Sequence, residues 1–442
     1  MVSMRRIVHI WWPLAASWLL MGAELPALSA VVARLANPEI NLAAYGGVVF
    51  PIALIIESPV IMLLAASTAL SKDWASYQKL RSFMLAVGAA MTLLHVLIAF
   101  TPLYYLVAVN ILRVPAEIVE PARIGLMIMT PWTWSIAYRR FNQGVMIRFG
   151  HSNAVGVGTV IRLSADGLVL ATGYLLGNIP GIVVATAAVA AGVMIEAVYS
   201  GWVVRPVIQR ELKAAKPVEQ PLTLRSFLDF YIPLAMTSLL TLLFNPIGSA
   251  AISRMPEALV SLAVWPVVSG LIFMLRSVGI AFNEVVVALL DEPGTYANLR
   301  RFTALLAIAT TVLLLLIAAT PFSALWFTRI SALSPHLADL ARNAVWIALP
   351  LPALSVLQSW YQGAILHGRR TGGITESVGI FLLTSGVILA AGVAWGRMTG
   401  LYVGLAAIGI STLAQTVWLW YRSLPVLRHV QKRDTILLPI LK

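Results

Sequence analysis

WWPLAASWLLMGAELPALSAVVAR, residues Trp11 to Arg34, returns in the second half of the chain as YIPLAMTSLLTLLFNPIGSAAISR, residues Tyr231 to Arg254. Adding 220 to the numbering carries Pro13 onto Pro233, Leu14 and Ala15 onto Leu234 and Ala235, Pro26 onto Pro246 and Arg34 onto Arg254. The register continues to the end of the chain at an offset of 219, with the one-residue slip assigned to the loop after the second apolar run. Thr101-Pro102 then falls on Thr320-Pro321, Ala122-Arg123 on Ala341-Arg342, Pro131 on Pro350 and Gln143-Gly144 on Gln362-Gly363. Gly167, Gly173, Gly177 and Gly181 fall on Gly386, Gly392, Gly396 and Gly400. The chain is a duplication, and its two copies are read against each other below.

Composition sets the solvent. Of 442 residues, 60% are hydrophobic and 11% charged, and the mean hydropathy is +0.87, which is the balance of a polytopic membrane protein. There is no cysteine, which excludes disulfides and thiolate metal sites. The histidines show no HExxH or paired spacing, so neither a metal nor any other cofactor is expected. The net charge of +13 comes from short basic clusters between apolar runs rather than from a dense basic tract with interleaved aromatics, which argues against nucleic acid. The first run resembles a cleaved signal peptide, but its copy lies in mid-chain, so it is read as a retained span.

Each half offers six runs near the length of about 20 residues that a bilayer-crossing helix needs. They lie at roughly 8–33, 41–70, 83–108, 122–147, 154–177 and 180–204, and again at 228–253, 259–290, 302–327, 340–366, 373–395 and 399–421. Pro13, Pro26, Pro51, Pro233 and Pro246 are candidate kinks in the longest of them. The predicted fold is an all-α, twelve-span membrane protein, with a six-helix lobe at 1–204, a linker at 205–226, a second lobe at 227–421 and a basic tail at 422–442. Arg5-Arg6, Lys72, Lys79, Arg81, Arg139-Arg140, Arg148, the linker, Arg300-Arg301, Arg369-Arg370 and the tail share one side, and every lysine is among them. That side is predicted to be cytoplasmic in a cell (inner) membrane, with both termini inside. An even number of spans per copy gives both copies one orientation, hence a pseudo-two-fold axis along the membrane normal and alternating access by rocking lobes.

Ionisable groups inside spans are the candidate functional residues. Glu24 and Glu57 stand on the first two runs, and Asn245, Arg276, Asn283 and Glu284 on their copies. At an offset of 220, Glu57 matches Ser277, one residue from Arg276, so an acid and a base occupy nearly the same depth in the two copies. These residues are predicted to face a central cleft, with Arg276 attracting an anion and Glu24 or Glu57 coupling transport to an ion or proton. The alternatives are an inter-lobe Glu57–Arg276 lock, or Arg276 and Glu284 satisfying polar neighbours. Arg162 and Asp166, spaced i, i+4, form either a structural ion pair or a site restricted to the first lobe, since the copy has Phe381 and Ser385. His95 is a further coupling candidate, with a buried, hydrogen-bonded imidazole as the alternative. Glu196, matched by Gln415, reads as a polar helix contact. The recurrent Gln-Gly pair and glycines predict close helix packing.

No phosphate-binding GxxxxGK[ST] loop, nucleophile elbow or polar carboxylate dyad is present, so neither an ATP-driven engine nor an enzyme is expected, a membrane-embedded transferase being the remote alternative. The loop at Ser71-Lys72-Asp73-Trp74-Ala75-Ser76 lacks the Gly and Asp-Arg signature of the major facilitator fold.

The WWPLA start, its YIPLA copy, the Pro246 and Arg254 that follow and the two six-span halves resemble the progressive ankylosis protein family. That family sits within the MATE-like multidrug/oligosaccharidyl-lipid/polysaccharide flippase superfamily. The resemblance implies a V-shaped twelve-helix transporter, monomeric in the bilayer, exporting a small organic or phosphate-bearing anion of the citrate, pyrophosphate or nucleotide class. The chain departs from the animal members in carrying Asn245 where they have a basic residue, and in ending on a basic segment rather than an acidic tail. The superfamily's drug/cation antiporters, which use a carboxylate in the first span, and its lipid-linked glycan flippases imply the alternative functions. Glu24 is the nearest counterpart of that carboxylate.

Overall fold

A computed structural model describes residues 3–368 and 372–437, which contain helices and no strand. Arg369, Arg370 and Lys442, read above as topological charges, lie outside the described residues. Twelve long helical rods follow one another among the described residues, with a short helical segment, Leu103–Ile111 or Phe322–Ile330, between the third and fourth rod of each half. In the first half they are α1 (Met4–Val32), α2 (Pro38–Leu70), α3 (Trp74–Phe100), α4 (Ala116–Ile128 followed by Thr130–Arg148), α5 (Ser152–Leu176) and α6 (Gly181–Leu212). In the second they are α7 (Leu224–Ile252), α8 (Ala258–Leu289), α9 (Tyr296–Ala319), α10 (Pro335–Ile347 followed by Leu351–His367), α11 (Gly372–Trp395) and α12 (Gly400–Leu437).

Ten of these are long and apolar enough to cross a membrane, and α10 qualifies as an eleventh when its two segments, bent by 42°, are joined. The matching α4 falls short because Arg139, Arg140, Asn142 and Gln143 stand within it. The third and ninth helices start and end earlier than the apolar windows at 83–108 and 302–327. Proline disfavours the helical region for the residue before it, so Thr101 and Thr320 are extended and end α3 and α9 ahead of Pro102 and Pro321. Local sequence also sets other ends. Asp73 accepts the Ser76 N–H at 2.9 Å to start α3, and Gly177 and Gly396 take the left-handed conformation that closes α5 and α11. The recurrent glycines do mark close packing: a Cβ on Gly173 or Gly392 would lie 2.4 Å from a methyl of Val184 or Val403 respectively.

The helices form two compact units that do not coincide with the halves of the sequence. One comprises residues 1–30, 255–257 and 264–442, and the other 31–254 and 258–263. Each half is thus packed with the first helix of the other half. In the first unit the Trp11 indole of α1 donates to the Val278 carbonyl of α8 at 3.1 Å and meets Phe302 edge-on at 5.4 Å. In the second the Tyr231 hydroxyl of α7 donates to the Pro59 carbonyl of α2, and its ring meets Phe83 edge-on at 5.0 Å. The two sets are the same contact made twice. Trp11 corresponds to Tyr231 at an offset of 220, and Pro59 and Phe83 correspond to Val278 and Phe302 at 219. Both carbonyls belong to the last turn of a helical segment, before the breaks at Met62 and Ala281, where intrahelical partners run out.

This pairing relocates the register slip. Left-handed Asn37 and Glu257, which precede α2 and α8, are 220 apart, whereas the breaks at Met62 and Ala281 are 219 apart. The extra residue is absorbed inside α2 by a π turn, Tyr45–Val49, where α8 is continuous. The slip is therefore not in the following loop. Ser58 and Ser277, which hydrogen-bond the carbonyls of Ile55 and Met274, are true counterparts. It follows that Glu57 and Arg276 occupy the same position of the two copies rather than adjacent ones.

Tyr231→Phe leaves the Pro59 carbonyl without its donor and is expected to cost about 1–3 kcal/mol. Trp11→Phe should cost a similar amount at Val278. Thermal unfolding in detergent checks both, and an unchanged Tm for either variant contradicts the assigned roles.

Candidate functional site

The unit built on residues 31–254 contains a buried ionic cluster carried by α2, α4, α5 and α6. Its centre is Glu196 on α6, which is fully buried. Arg139 of α4, 7% exposed, donates to Glu196 Oε2 through a short contact. Gln143, one turn further along α4, donates to Glu196 Oε1 at 2.9 Å. From α5, Arg162 Nε stands 3.5 Å from Glu196 Oε2. Asp166, one turn after Arg162, is 4% exposed and lies against Gly192 of α6, where a Cβ would fall 1.6 Å from its Oδ1. Only glycine at 192 leaves room for that carboxylate.

Glu57 of α2 is 3% exposed, and its Oε2 has no hydrogen-bond partner among the described residues. Arg139 and Arg140 of α4 are the charged groups that act on it. Arg140 Nε, Asn142 Nδ2 and Gln143 Oε1 are likewise buried without partners among the described residues. Three guanidinium groups and three carboxylates therefore share one bundle interior, in which Glu196 is satisfied from several sides and Glu57 is not. Since charges are costly to desolvate, each group depends on its neighbours.

The second copy has the same frame in neutral form. Gln358, the counterpart of Arg139, donates to Gln415, the counterpart of Glu196, at 2.9 Å. Gln415 Nε2 in turn approaches the Ser377 hydroxyl at 3.4 Å. Phe381 and Ser385 replace Arg162 and Asp166. Acid and base have thus been exchanged for amides as a pair.

The other sequence candidates are dispersed. Arg276 on α8, in the unit containing 264–442, donates from Nε to the Ser355 hydroxyl of α10 at 2.6 Å. It forms no ion pair among the described residues. Asn283 follows the break in α8 and donates to the Ser359 carbonyl at 3.3 Å. Glu284 is exposed and does not pair with Arg276. Asn245 on α7 donates to the Leu242 carbonyl of its own helix at 3.1 Å, and Glu24 on α1 is half-buried. Glu57 and Arg276 belong to different units. His95 is fully buried. Its Nε2 is 3.0 Å from the Leu126 carbonyl, to which it must donate, which leaves Nδ1 to accept from the Thr133 hydroxyl at 2.8 Å.

Arg139 and Arg140, counted above with the topological charges, are not solvated surface groups. Their side chains face the interior of their bundle within α4. A signal for this was present in the sequence. Arg139 and Glu196 both become Gln in the copy, a concerted loss of opposite charges that marks two side chains in contact.

No family profile and no curated protein sequence matches the chain. Solved structures do. An inward-facing multidrug resistance MATE family transporter of the MOP superfamily superposes with a TM-score of 0.64 and 17% identity over 96% of this chain and 98% of that one. A MOP superfamily transporter from Pyrococcus furiosus, described by a binding pocket of reversed polarity, gives 0.62 and 16% over 95% of each chain. The lipid II flippase MurJ, in an inward closed conformation, gives 0.59 and 12% over 95% and 92%. At these identities the likeness is one of fold. The chain has a MATE-like fold.

Glu196→Gln removes the carboxylate that Arg139 and Arg162 share and is expected to destabilise the protein by about 3–5 kcal/mol, whereas Arg139→Gln leaves Glu196 with Arg162 and Gln143 and should cost less. The double variant recreates the Gln358–Gln415 pair and should recover most of that loss. Thermal unfolding of the three variants decides it, and a double variant as unstable as the worse single one contradicts the paired assignment.

Proposed function

We propose that the protein is a secondary-active transporter that works by alternating access and exports a small organic or phosphate-bearing anion. The observation that carries this reading is Arg276, a guanidinium within a membrane-spanning helix whose bond is to the neutral Ser355 hydroxyl rather than to a carboxylate. A cation maintained in a span without a counter-ion among the described residues has its charge available to an anionic ligand. The MATE-like fold and the resemblance to the progressive ankylosis family favour the citrate, pyrophosphate and nucleotide class. The chain acts as a monomer in the cell membrane with both termini cytoplasmic, as the distribution of its lysines supports.

Coupling is assigned to the first copy. Glu57 has the required features: a carboxylate enclosed in a helical bundle, one oxygen without a partner among the described residues, and two guanidinium groups acting on it. Protonation there would change the balance of a cluster that also contains Arg162 and Asp166. The same carboxylate favours a second reading, a proton- or sodium-coupled drug/cation antiporter.

Proteoliposomes loaded with citrate, pyrophosphate and nucleotides separate the two. The anion reading predicts transport by the wild type and a KM raised about 10- to 100-fold by Arg276→Gln, with partial recovery in Arg276→Lys. Failure to move any anion, together with transport of cationic dyes, would sink it in favour of the antiporter. Glu57→Gln is expected to abolish the response of transport to an imposed pH gradient; a response equal to that of the wild type removes Glu57 from the coupling step.

A further inference from the structure

A groove of about 490 Å³ lies between the start of α9 and the end of α12, within the unit containing 264–442. Tyr296, Arg300, Arg301 and Ala304 line it from α9, and Gln431 and Thr435 from α12. Asp434 also borders it, but its carboxylate is already engaged. It accepts the Tyr296 N–H at 2.9 Å, which caps α9, and receives the Arg433 guanidinium at 2.9 Å. Arg433 itself is spent on the carbonyls of Leu290, Asp291 and Glu292, each at 3.0 Å. The remaining charges are Arg300 and Arg301, both exposed and neither in an ion pair among the described residues. The groove therefore presents two uncommitted guanidinium groups with the Gln431 amide beside them, the donor set that suits a phosphate-bearing group.

What lies next to the groove selects the source of that group. Along α9 the face of Arg301 continues through Leu305, Ile308 and Val312, at spacings of four, three and four residues, and these are 51%, 61% and 44% exposed. An apolar stripe on a membrane-spanning helix, running from a basic groove at the helix end, is matched to a molecule with a charged head and hydrocarbon tails. The feature is not required by the fold. Arg300 is matched by Arg81, but the counterparts of Arg301, Gln431 and Asp434 in the first copy are Ser82, Leu212 and Ala215. We propose that this groove binds the headgroup of an anionic phospholipid, whose acyl chains lie along Leu305, Ile308 and Val312. The site is separate from Arg276 and from the buried ionic cluster, and does not depend on the substrate assigned above.

The test is native mass spectrometry of the delipidated full-length protein, titrated with dioleoyl-phosphatidylglycerol or with neutral dioleoyl-phosphatidylcholine. The wild type should prefer the anionic lipid, and Arg300→Gln/Arg301→Gln should weaken its binding about 30-fold, roughly fivefold for each arginine. Arg428→Gln, an exposed arginine on α12 outside the groove, should leave binding unchanged. The substituted side chains are exposed, and equal Tm values in neutral detergent confirm folding. Equal retention of the anionic lipid by the wild type and the double variant would overturn the proposal. So would displacement of the bound lipid by millimolar inorganic phosphate, which would make the groove a site for the free anion.

Discussion

Two carbonyl groups, those of Pro59 and Val278, hold the architecture to its plan. Each lies in the last turn of a helical segment that breaks in the middle of a long span, at Met62 and at Ala281. A carbonyl there has lost its helical partner in a place where water is scarce, so it must find a donor on another helix. Tyr231 and Trp11 provide it. The first helix of each copy is thereby committed to the second helix of the other copy. That commitment explains why the packing units are not the halves of the sequence, and why the aromatic start of the repeated stretch is conserved between copies in kind, though not in identity.

The duplication also works as an internal comparison of chemistry. Both copies join α4 to α6, or α10 to α12, through a polar pair at matching positions, buried in the first copy and part-buried in the second. One pair is Arg139 with Glu196 and the other Gln358 with Gln415. Helix packing is satisfied by either version, so the charges of the first copy answer some other need. The same holds for the position shared by Glu57 and Arg276, which carries an acid in one copy and a base in the other. A fold that needs neither sign there has been given one of each, and the proposed function rests on that difference.

Much of this was legible in the sequence. The repeat of WWPLA as YIPLA, the twelve helical rods and the close approaches at Gly173 and Gly392 all follow from periodicity and composition. What was hidden has physical causes. A π turn inserts a residue without interrupting a helix, so although Gly46 and Gly47 lie in it the slip within α2 leaves the apolar run unbroken, and Glu57 was displaced by one position from its counterpart. Hydropathy averages over a window and passes across Thr101-Pro102, although the backbone cannot. Counting arginines as topological markers treats every guanidinium as solvated, which Arg139 is not. The exchange of first helices was the least accessible feature, because it depends on which side chain reaches an orphaned carbonyl, and no local pattern reports that.

Because the chain lacks cysteine, paired cysteines can be introduced without background, and they test the exchange of first helices directly. A short bifunctional thiol reagent should join positions 11 and 278 in one variant and 231 and 59 in another, each within a single chain in membranes. Cross-linking of both pairs is the result expected here. Failure of both, with position 11 joined instead to 59 and 231 to 278, would mean that each half packs on its own first helix and would contradict the account.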